Sequence, residues 1–223
     1  LKSMMMTTIS HEFRTPLSII LSASELIERY HDRLTDDKRN TSLGKIKQQV
    51  VHLNNIIDDM SLLVGSEMDP DRILHSTTNL SQLCHDVVTR VSMGIGENHH
   101  ITLQAGQAPC KIRGDQQMLA RVLLNVLENA VTYSKPGSTI QVHIACNNNR
   151  TQISIQDEGI GITPDALQMI FEPFFRAPDV INLNGTGLGM SIVRLYVDLH
   201  GGSVDVSSIV GKGTRVTIDL PNC

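Results

Sequence analysis

The chain has 223 residues, 40% of them hydrophobic, with 19 Lys and Arg against 23 Asp and Glu and a formal net charge of −4. That apolar content can fill one large core or two modest ones, and the charge balance leaves no general basic surface for DNA or an anionic membrane. Nucleic acid is therefore not an expected partner, and no apolar run approaches the roughly 20 residues that span a bilayer. Cys84, Cys110, Cys146 and Cys223 form neither CxxC pairs nor a dense framework. They are expected as reduced thiols in a cytoplasmic setting. The start lacks a signal-peptide pattern and falls within helical sequence, as expected of a piece of a longer chain.

The first stretch, "ISHEFRTPLSII" (residues 9–20), carries Pro16 inside a helical pattern. An interior proline removes a backbone hydrogen bond and crowds the carbonyl four residues back, here that of Glu12, at a cost of about 3 kcal/mol. Pro16 is accordingly a candidate hinge. Phe13, Pro16, Ile20, Ala23 and Ile27 form an apolar stripe. At 100° per residue His11 lies roughly 160–200° from Ile9 and Phe13, away from that stripe. After the polar stretch 31–41, Leu43, Ile46, Val50, Leu53, Ile57, Met60 and Val64 repeat at alternating three- and four-residue steps, which is a heptad seam. The expectation is a helical hairpin over residues 1–67 whose seams are covered by a second copy, giving a four-helix bundle across a homodimer. Packing on the rest of the same chain is the alternative.

After "GSEMDPD" (65–71) the heptad rhythm stops, and residues 68–223 read as a second domain. A helix is expected after the N-cap Asn79 and another from about Asp115 to Tyr133. Strands are expected at "STIQVHIAC" and "RTQISIQD", then a loop-rich stretch, a helix over Gly189–Leu199, and strands at "GSVDVSS" and "GTRVTIDLP". Strands and helices do not alternate strictly. The fold class is therefore an α+β sandwich: a mixed sheet with helices on one face.

Three motifs bear on chemistry. Asn125 and Asn129 stand one turn apart on an otherwise aliphatic helix. They are either solvated or neighbour-capping amides, or hard neutral oxygen ligands suited to Mg²⁺. "DEGIGI" places Asp157 at a strand end before Gly159 and Gly161, which is an ordinary turn or a carboxylate waiting for an exocyclic amine. "NGTGLGMSIV" runs Gly185, Gly187 and Gly189 into a helix, where free N–H groups favour phosphate. It lacks the strand-first context of a dinucleotide fingerprint and the lysine of a P-loop.

Taken in order, H-E-x-x-T-P, N-x-x-x-N, D-x-G-x-G, "FEPFFR" and G-x-G-x-G resemble the sensor histidine kinases of two-component signalling, over essentially the whole chain. The resemblance implies a dimerisation and histidine-phosphotransfer domain followed by a Bergerat-type ATP-binding domain of the kind shared with gyrase. It implies a protein-histidine kinase that uses ATP and Mg²⁺ and passes the phosphoryl group to a response-regulator receiver domain, with a sensor domain upstream. By it His11 is the phosphoacceptor, Glu12 the general base, and Thr15 the residue that orients water for phosphatase action. Asn129 is the metal ligand and Asn125 its companion in catalysis and nucleotide binding. Tyr133, Asp157, Gly159 and Gly161 belong to the adenine pocket, Phe171 and Phe174 to the hinge of an ATP lid, and Arg176 faces the γ-phosphate. Gly185, Thr186, Gly187, Leu188 and Gly189 line the phosphates. Many relatives carry a basic residue three positions after the metal-ligand asparagine. Here Thr132 stands there, leaving Arg176 and Lys135 to compensate.

Overall fold

The computed structural model describes residues 2–30, 34–63, 76–106, 110–147, 149–180 and 186–222. Two compact units result, one built on Leu1–Glu67, the other on Met68–Leu183 and Gly187–Cys223. In the first, α1 (Lys2–Arg29) packs along α2 (Asp36–Leu63). α1 runs through Pro16, which is buried, as is Ala23, while Phe13, Ile20 and Ile27 are half-buried. The expected stripe is thus the face α1 turns to its neighbour. α2 starts inside the stretch that looked like a polar linker. The Thr35 hydroxyl accepts the Lys38 N–H, and Asp36 and Asp37 occupy the first turn, where the helix dipole favours negative charge.

The heptad seam of α2 divides in two. Ser42, Ile46, Gln49, Leu53 and Ile56 are its buried or half-buried line, whereas Leu43, Val50 and Ile57, each seven residues from the next, are 42, 44 and 47% exposed. α1 adds exposed Leu17, Leu21 and Leu26. A hairpin of two helices covers one flank of each and leaves the other apolar flank open.

The second unit is a five-stranded mixed sheet under helices. Its elements are β1 (Thr77–Asn79), α3 (Leu80–Ser92), β2 (His100–Ala105), β3 (Lys111–Arg113), α4 (Gln116–Thr132), β4 (Thr139–Cys146), β5 (Arg150–Gln156), α5 (Pro164–Leu167), α6 (Gly189–Leu199), β6 (Ser203–Ile209) and β7 (Gly213–Pro221). The order is β2-β4-β5-β7-β6, with β2 parallel to β4 and the remaining pairs antiparallel, and β1 pairs with β3 separately. Register lines up two apolar rows across the sheet: Ile144, Ile153, Ile218 and Val204 in one, Val142, Ile155, Val216 and Val206 in the other. Ile140, Val142 and Ile144 are buried while Gln141, His143 and Ala145 are exposed, so one face carries the helices and the other meets water. α3, α4 and α6 supply Leu80, Leu83, Leu119, Leu123, Leu127, Ile192 and Val197 to that core.

The helices begin where capping chemistry places them. The Asn79 side chain accepts the Gln82 N–H, and the Asp115 carboxylate accepts those of Gln117 and Met118. One cysteine expectation is corrected. Cys110 and Cys146 are joined as a disulfide, with Cα atoms 5.9 Å apart, because the approach to β3 and the end of β4 meet in space. Cys84 is free and buried. Among the described residues no helix is long and apolar enough to cross a membrane.

Ile218, fully buried between Ile153 and Val204, tests the apolar rows. Ile218→Ala is expected to cost about 2–5 kcal/mol in urea unfolding, and Val210→Ala, on a side chain 59% exposed, to stay within about 0.5 kcal/mol. Equal costs at the two positions would refute the assignment of the core.

Candidate functional site

β5 delivers Asp157 at its C-terminal end, where the carboxylate is only 9% exposed. Its Oδ1 accepts the Gly159 N–H at 2.8 Å and the Thr214 N–H at 3.1 Å, and its own N–H donates to the Thr214 carbonyl at 2.9 Å. Burial pushes the carboxyl above its ordinary range, and the two backbone donors pull partly the other way. Gly213, at φ +111°, makes this approach possible, because a Cβ there would lie 2.0 Å from the Asp157 carbonyl oxygen.

The loop after Asp157 is held from two sides. The Tyr133 carbonyl, at the C-cap of α4, accepts the Ile160 N–H at 3.1 Å, and Gly159 packs against that same carbonyl. Ile160 in turn accepts the Gly211 N–H at 2.7 Å. Gly161, at φ +73°, follows in the same loop. The space beside it is filled by the protein's own backbone at Ile209 and Val210, so its smallness serves the docking of the β6–β7 hairpin.

α4 presents Asn125 to the start of α6. Asn125 is buried and donates from Nδ2 to the Gly189 carbonyl at 3.3 Å, and Asn129, one turn on, is half-buried. The far end of the same helix pair is locked by His200, a residue the sequence left as ordinary. Its Nε2 accepts the Asp115 N–H at 3.1 Å, which leaves Nδ1 to donate to the Tyr196 carbonyl at 2.6 Å. α4 and α6 are therefore tied at the Asn125 level and again at the α4 N-cap.

The segment leading to α6 turns on Phe174, whose φ of +65° makes it, among the described residues, the one non-glycine at positive φ. Such a conformation costs of order 1–3 kcal/mol and persists where its surroundings demand it. Its N–H donates to the Gly187 carbonyl at 3.0 Å. Gly187, at φ +70°, lies so close that a Cβ would meet the Phe174 carbonyl carbon at 2.8 Å. The Arg194 guanidinium of α6 lies 3.8 Å from the Phe171 ring centroid. Arg176 donates to the Val180 carbonyl at 2.8 Å. Thr186 is half-buried, Leu188 is fully buried at the α6 N-cap, and Gly185 lies outside the described residues.

Within one unit, hydrogen bonds and close backbone approaches join Asn125 to Gly189, Tyr133 and Asp157 to Gly159, and Gly187 to Phe174. Thr214 joins this set without a sequence signal of its own, beyond a Gly-Thr pair opening β7, and Tyr133, named by the resemblance, takes part through its carbonyl. His11, Glu12 and Thr15 belong to α1 of the other unit. Thr15 is exposed, and the His11 and Glu12 side chains lie outside the described residues. Among the described residues no three His, Cys, Asp or Glu gather as a metal cage. An Asn129 amide oxygen is a donor that suits Mg²⁺ already carrying phosphate and water oxygens.

Comparison with known proteins matches both units. Residues 114–222 fit the family described as histidine kinase-, DNA gyrase B-, and HSP90-like ATPase, and residues 1–67 fit the His Kinase A (phospho-acceptor) domain. The sensor histidine kinase RppB of Synechocystis is 31% identical over 95% of this chain and 47% of its own length. ZraS of Klebsiella oxytoca is 31% identical over 96% of this chain and 44% of its own length. The crystal structure of full-length ShkA in complex with AMPPNP superposes with a TM-score of 0.71 at 26% identity, covering 97% of this chain and 45% of that one. The chain therefore spans less than half the length of each of these three. With a phospho-acceptor helical domain followed by an ATPase domain of the matching fold, it belongs to the sensor histidine kinases and comprises their kinase core.

Proposed function

We propose that this chain autophosphorylates His11 with ATP and passes the phosphoryl group to an aspartate on a response-regulator receiver domain. The observation that carries the reading is the convergence on one site of three motifs remote in sequence. Asn125 bonds the glycine-rich start of α6, and the Tyr133 carbonyl, eight residues further along α4, holds the Asp157 loop. That ShkA was crystallised in complex with AMPPNP supports nucleotide binding by this chain.

In this mechanism Asp157 accepts a hydrogen bond from the adenine amine, and the loop formed by Gly159 and Gly161 walls the base. Phe171 and Phe174 shape the segment over the nucleotide. Thr186, Gly187, Leu188 and Gly189, with Gly185, offer backbone N–H groups to the phosphates. Asn129, with Asn125 beside it, would hold Mg²⁺, which neutralises charge on the phosphates when bound. Arg176 reaches the γ-phosphate by exchanging its bond to the Val180 carbonyl, and Lys135 supplies a second cation in place of the exposed Thr132. An unprotonated ring nitrogen of His11 attacks the γ-phosphorus, the bond to the ADP oxygen breaks, and Glu12 takes the proton from the other ring nitrogen. Thr15, one helical turn from His11, orients a water for hydrolysis of the receiver's phosphoryl-aspartate.

The exposed Leu43, Val50 and Ile57 stripe supports a homodimer with four helices around one core. We assign residues 1–67 to dimerisation and phosphotransfer and 68–223 to catalysis. We also assign the core to the cytoplasm, downstream of a sensor domain.

Incubation with Mg²⁺ and γ-labelled ATP should give an acid-labile, base-stable label that is lost in His11→Gln and in Asn129→Ala. Absence of label despite measurable ATP binding would sink the kinase reading and favour a nucleotide-gated phosphatase or scaffold.

Asp157→Asn can keep both N–H bonds, since both fall on Oδ1. It should weaken ATP binding at least tenfold, by calorimetry, while the unfolding temperature holds or rises. The sign follows from the raised carboxyl. Between the ordinary carboxyl value of 3.8 and the raised folded value the native state keeps a proton that the unfolded state has lost, so stability falls as pH rises through that window. Asp157→Asn should lack that fall, and an unchanged pH profile would count against the buried acid.

Val50→Asp should convert the dimer to monomer in sedimentation at micromolar concentration. A dimer of undiminished affinity would place the interface elsewhere.

A further inference from the structure

The Cys110–Cys146 bond closes a loop of 36 residues that contains the whole of α4 with Asn125 and Asn129. Its two sulfurs differ in environment. Cys110 is 2% exposed and fixed at its backbone, where its N–H donates to the Ser81 hydroxyl at 3.1 Å and its carbonyl accepts the Leu80 N–H at 2.7 Å. Cys146 is exposed at the end of β4, its sulfur 3.4 Å from the Thr151 hydroxyl. One partner is thus open to a soluble oxidant and the other is held in place to resolve it. We propose that Cys110 and Cys146 form a reversible redox site, oxidised by hydroperoxides and reduced by small thiols, that covalently staples the nucleotide-binding unit.

The chemistry balances with peroxide as the two-electron acceptor. The Cys146 thiolate attacks one peroxide oxygen, the O–O bond breaks, and the departing hydroxide takes a proton to leave as water, giving a sulfenic acid. The Cys110 sulfur then displaces that hydroxyl from the Cys146 sulfur, a second water leaves, and the disulfide forms. Reduction consumes two small thiols by exchange and releases their disulfide. Cys84 does not compete, since burial pushes its thiol up to about 12 and keeps it protonated. Disulfides in reducing compartments are usually transient, which fits a reversible device better than a permanent one.

The staple acts on stability and spares nucleotide binding. Cys146 faces Thr151 at the start of β5, whereas Asp157 follows the other end of that strand, roughly 17–20 Å away. Closing the loop restricts the unfolded chain, so oxidation should raise the unfolding temperature by roughly 5–12 °C.

The test uses the purified chain, reduced and then exposed to a small excess of hydrogen peroxide, with alkylation, peptide mapping and a thermal scan. The expected result is a linked Cys110–Cys146 peptide within the chain, reversed by dithiothreitol, and the higher unfolding temperature only in the oxidised form. Cys146→Ser, at an exposed position, should abolish both, as should Cys110→Ser, and Cys84→Ser should abolish neither. ATP affinity should agree within twofold between the two states. Both cysteines remaining alkylatable after peroxide, oxidation of Cys146 to a sulfinic acid without a bond, or an equal temperature shift in Cys146→Ser would each overturn the proposal.

Discussion

A carboxylate taken out of water must be supplied with donors, and the way Asp157 is supplied organises the nucleotide-binding unit. Both donors are backbone N–H groups, one from its own loop and one from the start of β7. To bring β7 that close, residue 213 must be glycine, and the loop that follows Asp157 must be pressed against the Tyr133 carbonyl at the end of α4. Strand, hairpin and helix are thereby positioned by one side chain. The arrangement leaves a poorly solvated acid whose ionisation opposes folding, which is a common cost of a residue kept ready for a ligand.

α4 transmits that order to the rest of the site. It is capped by Asp115, clamped to the end of α6 through His200, bonded to the start of α6 through Asn125, and joined to the Asp157 loop through Tyr133. Leu119, Leu123 and Leu127 press the same helix onto the sheet. Asn129 is therefore carried on an element fixed at both ends, so its position follows that of the sheet and α6.

What could be read from the sequence was what is local. Asn79 and Asp115 announce their helices because capping needs a particular side chain at a particular place, and β4 and β5 alternate cleanly because one face is dry. β2 went unread although it alternates: Ile101 and Leu103 are half-buried between exposed His100, Thr102 and Gln104, and two apolar residues are too short a run to announce a strand. β1 and β3 are three residues each and exist through their mutual pairing. The Asp157 and Asn125 motifs were legible as motifs and the resemblance named Tyr133, yet Thr214 acts through a backbone N–H, which nearly every residue has and none advertises. Spacing scans for cysteine look along the chain, and the Cys110–Cys146 contact is made across it. In α2 the heptad was visible, but a regular repeat does not say which flank the hairpin takes and which it leaves; Ser42 and Gln49 on the inner line carry no apolar signal.

The bond from Phe174 to Gly187 pins together two points of the chain that are remote in sequence. Whatever length of chain runs between them, the sheet and α6 experience the same pair of anchors. Loop-closure entropy grows slowly, by about 0.6 kcal/mol for each doubling of length, so lengthening the chain between these anchors costs little in closure entropy. The left-handed Phe174 is the fixed element, and a change in the length of chain between it and Gly187 leaves the sheet and α6 holding the same anchors.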